Sequence, residues 1–204
     1  MSEAKAREAI CRLGASLYAR GLTPGSSGNL SQKLENGYLL TPTGSSLGRL
    51  DPARLSRLDR EGRLLSGDPP TKEALLHRAF YDERPDCGAV VHLHSTHAVA
   101  VSCLAEIDPE EVLPPITAYY VMRVGRLRLV PYFRPGDPSL AEAVRLYART
   151  HHAVLLANHG PVVAGKSLEA ATDAIEELEE TAKLYFLLER AKARFLSAEE
   201  KSRL

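Results

Sequence analysis

The chain has 204 residues, 44% of them hydrophobic and 25% charged, which predicts one globular domain over residues 1–204 with a core large enough to need no disulfides. Lysine plus arginine and aspartate plus glutamate are equal at 26 each, so no overall field favours nucleic acid or an anionic membrane, and any anionic ligand must be held by local donors. Cys11, Cys87 and Cys103 lack the spacing of a disulfide framework or a thiolate zinc site, and no leader or membrane span is apparent; the expected location is the cytoplasm.

Residues 3–20 place Ala6, Ile10, Leu13 and Leu17 at helical spacing opposite a charged face, and Gly21 stops the helix. The stretch Gly21 to Ser31 is too rich in Gly, Ser and Asn for regular structure. It reads either as a plain turn or as an anion cradle, in which Gly28 lets backbone N–H groups converge on a phosphate while Ser27 and Asn29 add side-chain donors. It is not a Walker loop, because no Gly-Lys-Ser/Thr follows. Residues 38–41 read as a strand that leaves into a second loop of hydroxyls and glycine, Pro42-Thr43-Gly44-Ser45-Ser46, and the two loops can form opposite walls of one phosphate site. Residues 54–59 and 63–66 look like a hairpin about Glu61-Gly62.

A helix is predicted over 71–81 with Thr71 as its cap, and Lys72 adds a full positive charge to an N-terminal turn that already favours anions. Glu73 is either a helix-start carboxylate meeting the dipole or a general base or metal ligand, and His77 reads as a packed helix histidine. Residues 89–95 predict a buried strand. Alternation at about 3.3 Å per residue puts His92 and His94 on one face, roughly 6 to 7 Å apart, with Val91 and Leu93 on the other. Two imidazoles so placed can close on one small cation, and Zn²⁺ prefers imidazole nitrogens.

Ser95 or Thr96 then caps a helix through Leu104, with His97 in a supporting role. Tyr119 and Tyr120 read as core or interface; residues 126–133 read as a strand, Arg134 lies in a turn, and 139–150 form a helix with Leu140, Val144 and Tyr147 inward. Residues 153–160 form a second buried strand whose polar end carries His159, with Asn158 and Gly160 beside it as an opening into a site. A long helix follows over 167–193, and its glutamates between 176 and 180 read as a solvated face or subunit contact.

The ordered set of Ser-Gly-Asn loop, Thr-Gly-Ser loop, Glu at a helix start, His-x-His strand and later Asn-His-Gly resembles the class II aldolase/adducin family over nearly the whole chain. The runs beginning at Thr41, Val91, Tyr120 and Leu155 look like its 3-oxo-tetronate 4-phosphate decarboxylase branch. The resemblance implies a three-layer αβα domain of the fuculose-phosphate aldolase type with a central, mostly antiparallel sheet. It implies one Zn²⁺ per subunit on His92, His94 and His159, with Glu73 as a ligand of the resting metal and as the acid/base when substrate displaces it. It puts Ser27, Gly28, Asn29, Thr43, Gly44, Ser45, Thr71 and Lys72 at or beside the phosphate, Lys72 standing where the aldolases carry a small hydroxyl residue. Tyr119, or its neighbour Tyr120, falls near the family's tyrosine proton donor, often supplied by an adjacent subunit of a homotetramer. The implied reaction is decarboxylation of 3-oxo-tetronate 4-phosphate to dihydroxyacetone phosphate. The alternatives are a ketose 1-phosphate aldolase, a thio-sugar phosphate dehydratase, or a catalytically silent adducin-like binding domain. A substrate carboxylate favours a nearby cation, for which Lys72, Arg123 and Arg134 are the candidates, Lys72 being equally able to bind only the phosphate.

Overall fold

The computed structural model describes residues 2–204. Eight strands form one sheet in the order β4-β3-β2-β1-β5-β8-β7-β6, where β1 is Asn29–Leu34, β2 Gly37–Leu40, β3 Ser56–Leu58, β4 Leu64–Ser66, β5 Ala89–His92, β6 Arg128–Val130, β7 Ala153–Leu156 and β8 Gly160–Gly165. Every neighbouring pair is antiparallel except β6 and β7. The β5 and β7 sequences are continuous apolar runs because both of their faces are covered.

Alternation along the strands sorts the core into two layers. Ala89, Val91, Leu155 and Val163 face a layer built from helices α1 (Glu3–Ala19), α3 (Thr96–Ser102), α4 (Ala118–Arg123) and α6 (Leu168–Leu188). Val90, Val154, Leu156 and Val162 face a second layer of α2 (Ala74–Glu83) and α5 (Pro138–Ala148), which pack on each other. The arrangement is the expected helix–sheet–helix sandwich with a mostly antiparallel sheet. A short helix, α7 (Ala198–Lys201), closes the chain with a Ser197–Glu200 capping box.

Several element boundaries differ from expectation. Strand β5 ends at His92, so His94 lies just beyond the ladder although its side chain still meets that of His92. Helix α2 begins at Ala74; Thr71 instead closes a turn before it, its carbonyl accepting from Ala74 N–H and its hydroxyl from Glu73 N–H. Ser95 precedes α3 without capping it. The capping acceptor is Glu179 of α6, whose carboxylate takes the N–H groups of His97 and Ala98 at 2.9 and 2.8 Å. Glu179 is therefore buried, which corrects the reading of all the glutamates there as a solvated face. Helix α6 ends at Leu188, five residues short of the predicted Ala193, and β6 covers only three residues of the predicted 126–133.

Candidate metal centre and phosphate cleft

The site lies at one end of the sheet, where β1 begins, β5 ends, β7 ends and β8 begins. The registers Asn29↔His92 and Leu156↔Gly160 bring these ends together. His92 and His94 come from β5 and the residue pair after it, and His159 comes from the tight β7–β8 connection, in which Asn158 adopts φ 53°. Gly160 admits a close approach there: a Cβ at this position would lie 2.4 Å from the Leu93 carbonyl oxygen. Gly28 is comparably confined, with φ 76° and a would-be Cβ 3.0 Å from the His92 carbonyl. The two glycines let the loops close around the histidines.

The rings of His92, His94 and His159 stand edge-on to one another with centroids 4.8 to 4.9 Å apart, and one ligand atom from each lies within 4.8 Å of the others. The His92 Nδ1–H donates to the Pro161 carbonyl at 2.9 Å, which orients the ring and turns Nε2 toward the cluster. Burial, reinforced by the neighbouring rings, holds His94 and His159 down at about 4, so both are neutral at neutral pH.

Glu73 sits at the start of α2, 8% exposed, with Oε2 3.4 Å from His92 Nε2 and Oε1 3.3 Å from His159 Nε2. Burial raises its pKa, but His92, the Asn29 amide donor, His159 and His77 bring it down to about 2, so the carboxylate is ionised. Its Oε1 is buried and accepts no hydrogen bond. Three converging imidazoles, with a buried carboxylate oxygen that accepts no hydrogen bond beside them, are chemistry that fits a divalent cation.

The cleft beside the cluster has a volume of about 820 Å³. Its walls include Ser27, Gly28, Asn29, Thr43, Gly44, Thr71, Lys72, Glu73, His94 and His159, bringing together most of the residues singled out from sequence. Lys72 is the only lysine or arginine on its walls among the described residues, and it has no ion-pair partner among them. The expected approach of Arg123 and Arg134 to the cleft needs correction, and Ser45, Asn29 and the two tyrosines have settings of their own. Ser45 faces a smaller neighbouring cavity, with its hydroxyl donating to the Pro42 carbonyl. Arg123 pairs with Asp173 at 3.5 Å beside a different cavity, and Arg134 is exposed off the cleft walls, because the β6–α5 loop presents Pro135 instead. The Asn29 amide is bonded at both ends, donating to Glu73 Oε2 at 2.7 Å and accepting from His77 Nε2 at 2.5 Å. Of the two tyrosines, Tyr120 is buried in the core, and Tyr119 is 61% exposed on α4, off the cleft walls of its own chain.

Sequence reading placed Asn158 at an opening into a site, where it lines the cleft, but missed Pro135 as a cleft wall and His77 as a partner of Asn29. The signal for His77 lies in its spacing, since Glu73, His77 and Tyr81 repeat every four residues and so share one helix face.

Residues 8–186 match the family described as Class II Aldolase and Adducin N-terminal domain. The chain is 53% identical over 201 residues to a 3-oxo-tetronate 4-phosphate decarboxylase of Haemophilus influenzae, covering 98% of this chain and 96% of that protein. Its structure resembles that of YgbL from Escherichia coli with a TM-score of 0.97 at 50% identity, over 99% of this chain and 98% of the other. An L-fuculose 1-phosphate aldolase structure superposes with a TM-score of 0.90 at 28% identity, over 100% and 95% of the two chains.

Proposed function

From the premise that the chain belongs to the class II aldolase and adducin N-terminal domain family, we propose that its cleft decarboxylates 3-oxo-tetronate 4-phosphate to dihydroxyacetone phosphate and CO₂. The protein is a carboxy-lyase. The observation that carries the mechanism is the convergence of His92, His94, His159 and the unpartnered Glu73 oxygen at the wall of a cleft that also presents Lys72. These four side chains would hold the metal, and three imidazole nitrogens favour zinc. When bound, such an ion supplies Lewis-acid polarisation of the substrate carbonyl and compensation of developing negative charge.

The chain's own residues do the rest. The Gly28 and Gly44 loops, Thr43, Thr71 and the start of α2 hold the phosphate, with Ser27 bracing the first loop through its bond to the Pro24 carbonyl at 2.6 Å. Lys72 adds a charge to that wall and attracts the substrate's anionic groups. The C1–C2 bond breaks with its electron pair remaining on C2, conjugated to the carbonyl at C3, and CO₂ leaves. C2 must then gain a proton. Glu73 is ionised at rest, so once substrate takes its place as a ligand it would accept a proton from solvent water and return it at C2. Tyr119, exposed on α4, is proposed as a second donor reaching the cleft of an adjacent copy in a homotetramer. The proposed setting is cytoplasmic; no helix among the described residues is long and apolar enough to cross a membrane.

The reading is tested by incubating purified protein with synthetic 3-oxo-tetronate 4-phosphate, with and without a chelator. Metal-dependent release of CO₂ and dihydroxyacetone phosphate is the expected result. Inertness toward this acid combined with cleavage of a ketose 1-phosphate to a free aldehyde would move the assignment to the aldolase chemistry of the 28%-identical structure.

A further inference from the structure

Behind Glu73 runs a buried file of polar side chains that the proposed reaction does not itself use. Asn29 and Ser31 are two apart on β1 and point to the α2 face, while Glu73, His77 and Tyr81 are successive fourth residues along α2. Four helical residues advance about 6 Å and two strand residues about 6.6 Å, so the two series stay in step. The contacts alternate between them. Tyr81 Oη is 2.7 Å from Ser31 Oγ, Ser31 Oγ 2.6 Å from His77 Nδ1, His77 Nε2 2.5 Å from Asn29 Oδ1, and Asn29 Nδ2 2.7 Å from Glu73 Oε2. All five side chains are buried, His77 and Ser31 at 1% and 0% exposure.

The direction of every bond follows from its last member. An ionised carboxylate only accepts, so Asn29 must turn its NH₂ toward Glu73 and its carbonyl toward His77. His77 must then carry its proton on Nε2, which leaves Nδ1 as an acceptor for the Ser31 hydroxyl, and Ser31 in turn accepts from Tyr81. Each donor thus points toward the anion. The amide of Asn29 passes no proton while it remains an amide, so the file orients and does not conduct. The ring stack of Tyr38 on Tyr81, 4.9 Å between centroids, braces its far end.

We infer that His77, with Ser31 and Tyr81 behind it, is a positioning residue for the reaction: through Asn29 it holds one Glu73 oxygen by hydrogen bond and thereby aims the other at the histidine cluster. The inference rests on the assignment of Glu73 above, and the test separates the two. In the zinc-loaded enzyme, His77→Leu should lower kcat by about 10- to 100-fold, the range for loss of a partner that orients a ligand, and lower zinc affinity in chelator competition by a similar factor. KM should change little, because His77 does not line the cleft. His77→Gln, which can still donate toward Asn29 and accept from Ser31, should recover most of both losses. Ser31→Ala should give the same signs at smaller size and keeps the test decisive where His77→Leu does not fold.

Unchanged kcat and unchanged zinc affinity in a folded His77→Leu protein would overturn the inference, as would equal impairment in the Leu and Gln variants. Should Glu73→Gln retain turnover, the proton role of Glu73 falls, and the file is then judged on zinc affinity alone: a drop in His77→Leu supports it and no drop overturns it.

Discussion

Glu73 and His94 occupy one cluster but carry different burdens, and substitution separates them. Glu73→Gln keeps the size and one donor–acceptor end of the side chain while removing the charge, so the fold should persist and kcat should fall by about 10² to 10⁴, the contribution of a positioned acid/base. An effect confined to KM would make Glu73 a binding residue. His94→Ala removes a ligand atom outright, so both zinc retention and turnover should be lost; metal analysis of the purified variant beside the kinetics checks this, and near-normal activity would refute the ligand role. The pair matters because Glu73 Oε1 is buried without a hydrogen-bond partner. An anion in that state needs a cation nearby.

At the scale of elements, α3 depends on a side chain from another helix. Its first N–H groups have no partner in their own sequence, since Ser95 makes no capping bond, and Glu179 of α6 supplies the acceptor. Glu179 also takes the His97 Nδ1–H at 2.8 Å. Glu179→Ala should destabilise the protein by about 1 to 3 kcal/mol, the cost of leaving buried donors unmet, and denaturant unfolding measures it. The exposed Glu180, one residue on, should change stability by no more than about 0.5 kcal/mol when replaced by alanine. Because α3 begins two residues after His94, Glu179→Ala should also weaken zinc retention, and Glu180→Ala should not. This distinction was not legible in a run of glutamates. Helical periodicity shows that Glu176 and Glu180 share a side, but only the packing of α3 on α6 decides which carboxylate is enclosed.

The whole molecule should lose stability in acid through the same cluster. For His94 and His159 the folded values of about 4 lie below the ordinary 6.5, and for His77 the folded value is about 3. Between those limits the unfolded chain binds more protons, so metal-free protein is stabilised above about pH 6.5 and weakens as pH falls toward 4. Glu73 extends the loss: its folded value of about 2 lies below the ordinary 4.5, so its contribution disappears as pH falls from 4.5 toward 2. Unfolding midpoints of the metal-free protein across pH 7 to 4 should fall steadily; a flat profile would contradict the neutral-histidine state. The proposed assembly makes a separate prediction. If Tyr119 serves an adjacent copy, Tyr119→Phe and Glu73→Gln chains, each weakly active alone, should regain activity when refolded together, because some sites then receive both native residues. Additive activity without recovery would place the tyrosine outside the reaction.

The amino-acid sequence by itself determined the chemistry available: a His-x-His pair on an apolar strand, a carboxylate after two prolines, two glycine-rich hydroxyl loops, and a lysine beside them. Side-chain type and local period are properties of short segments, and backbone geometry alone makes them readable. Only the tertiary structure decided how these pieces meet. It joined His159 to a pair 65 residues earlier through the β5–β8 register, turned Arg123 and Arg134 away from the cleft, enclosed Glu179, and matched α2 to β1 so that His77 stands behind Asn29. Those outcomes depend on which faces are buried against which. Burial is a long-range compromise among all the strands and helices, and no single segment contains it.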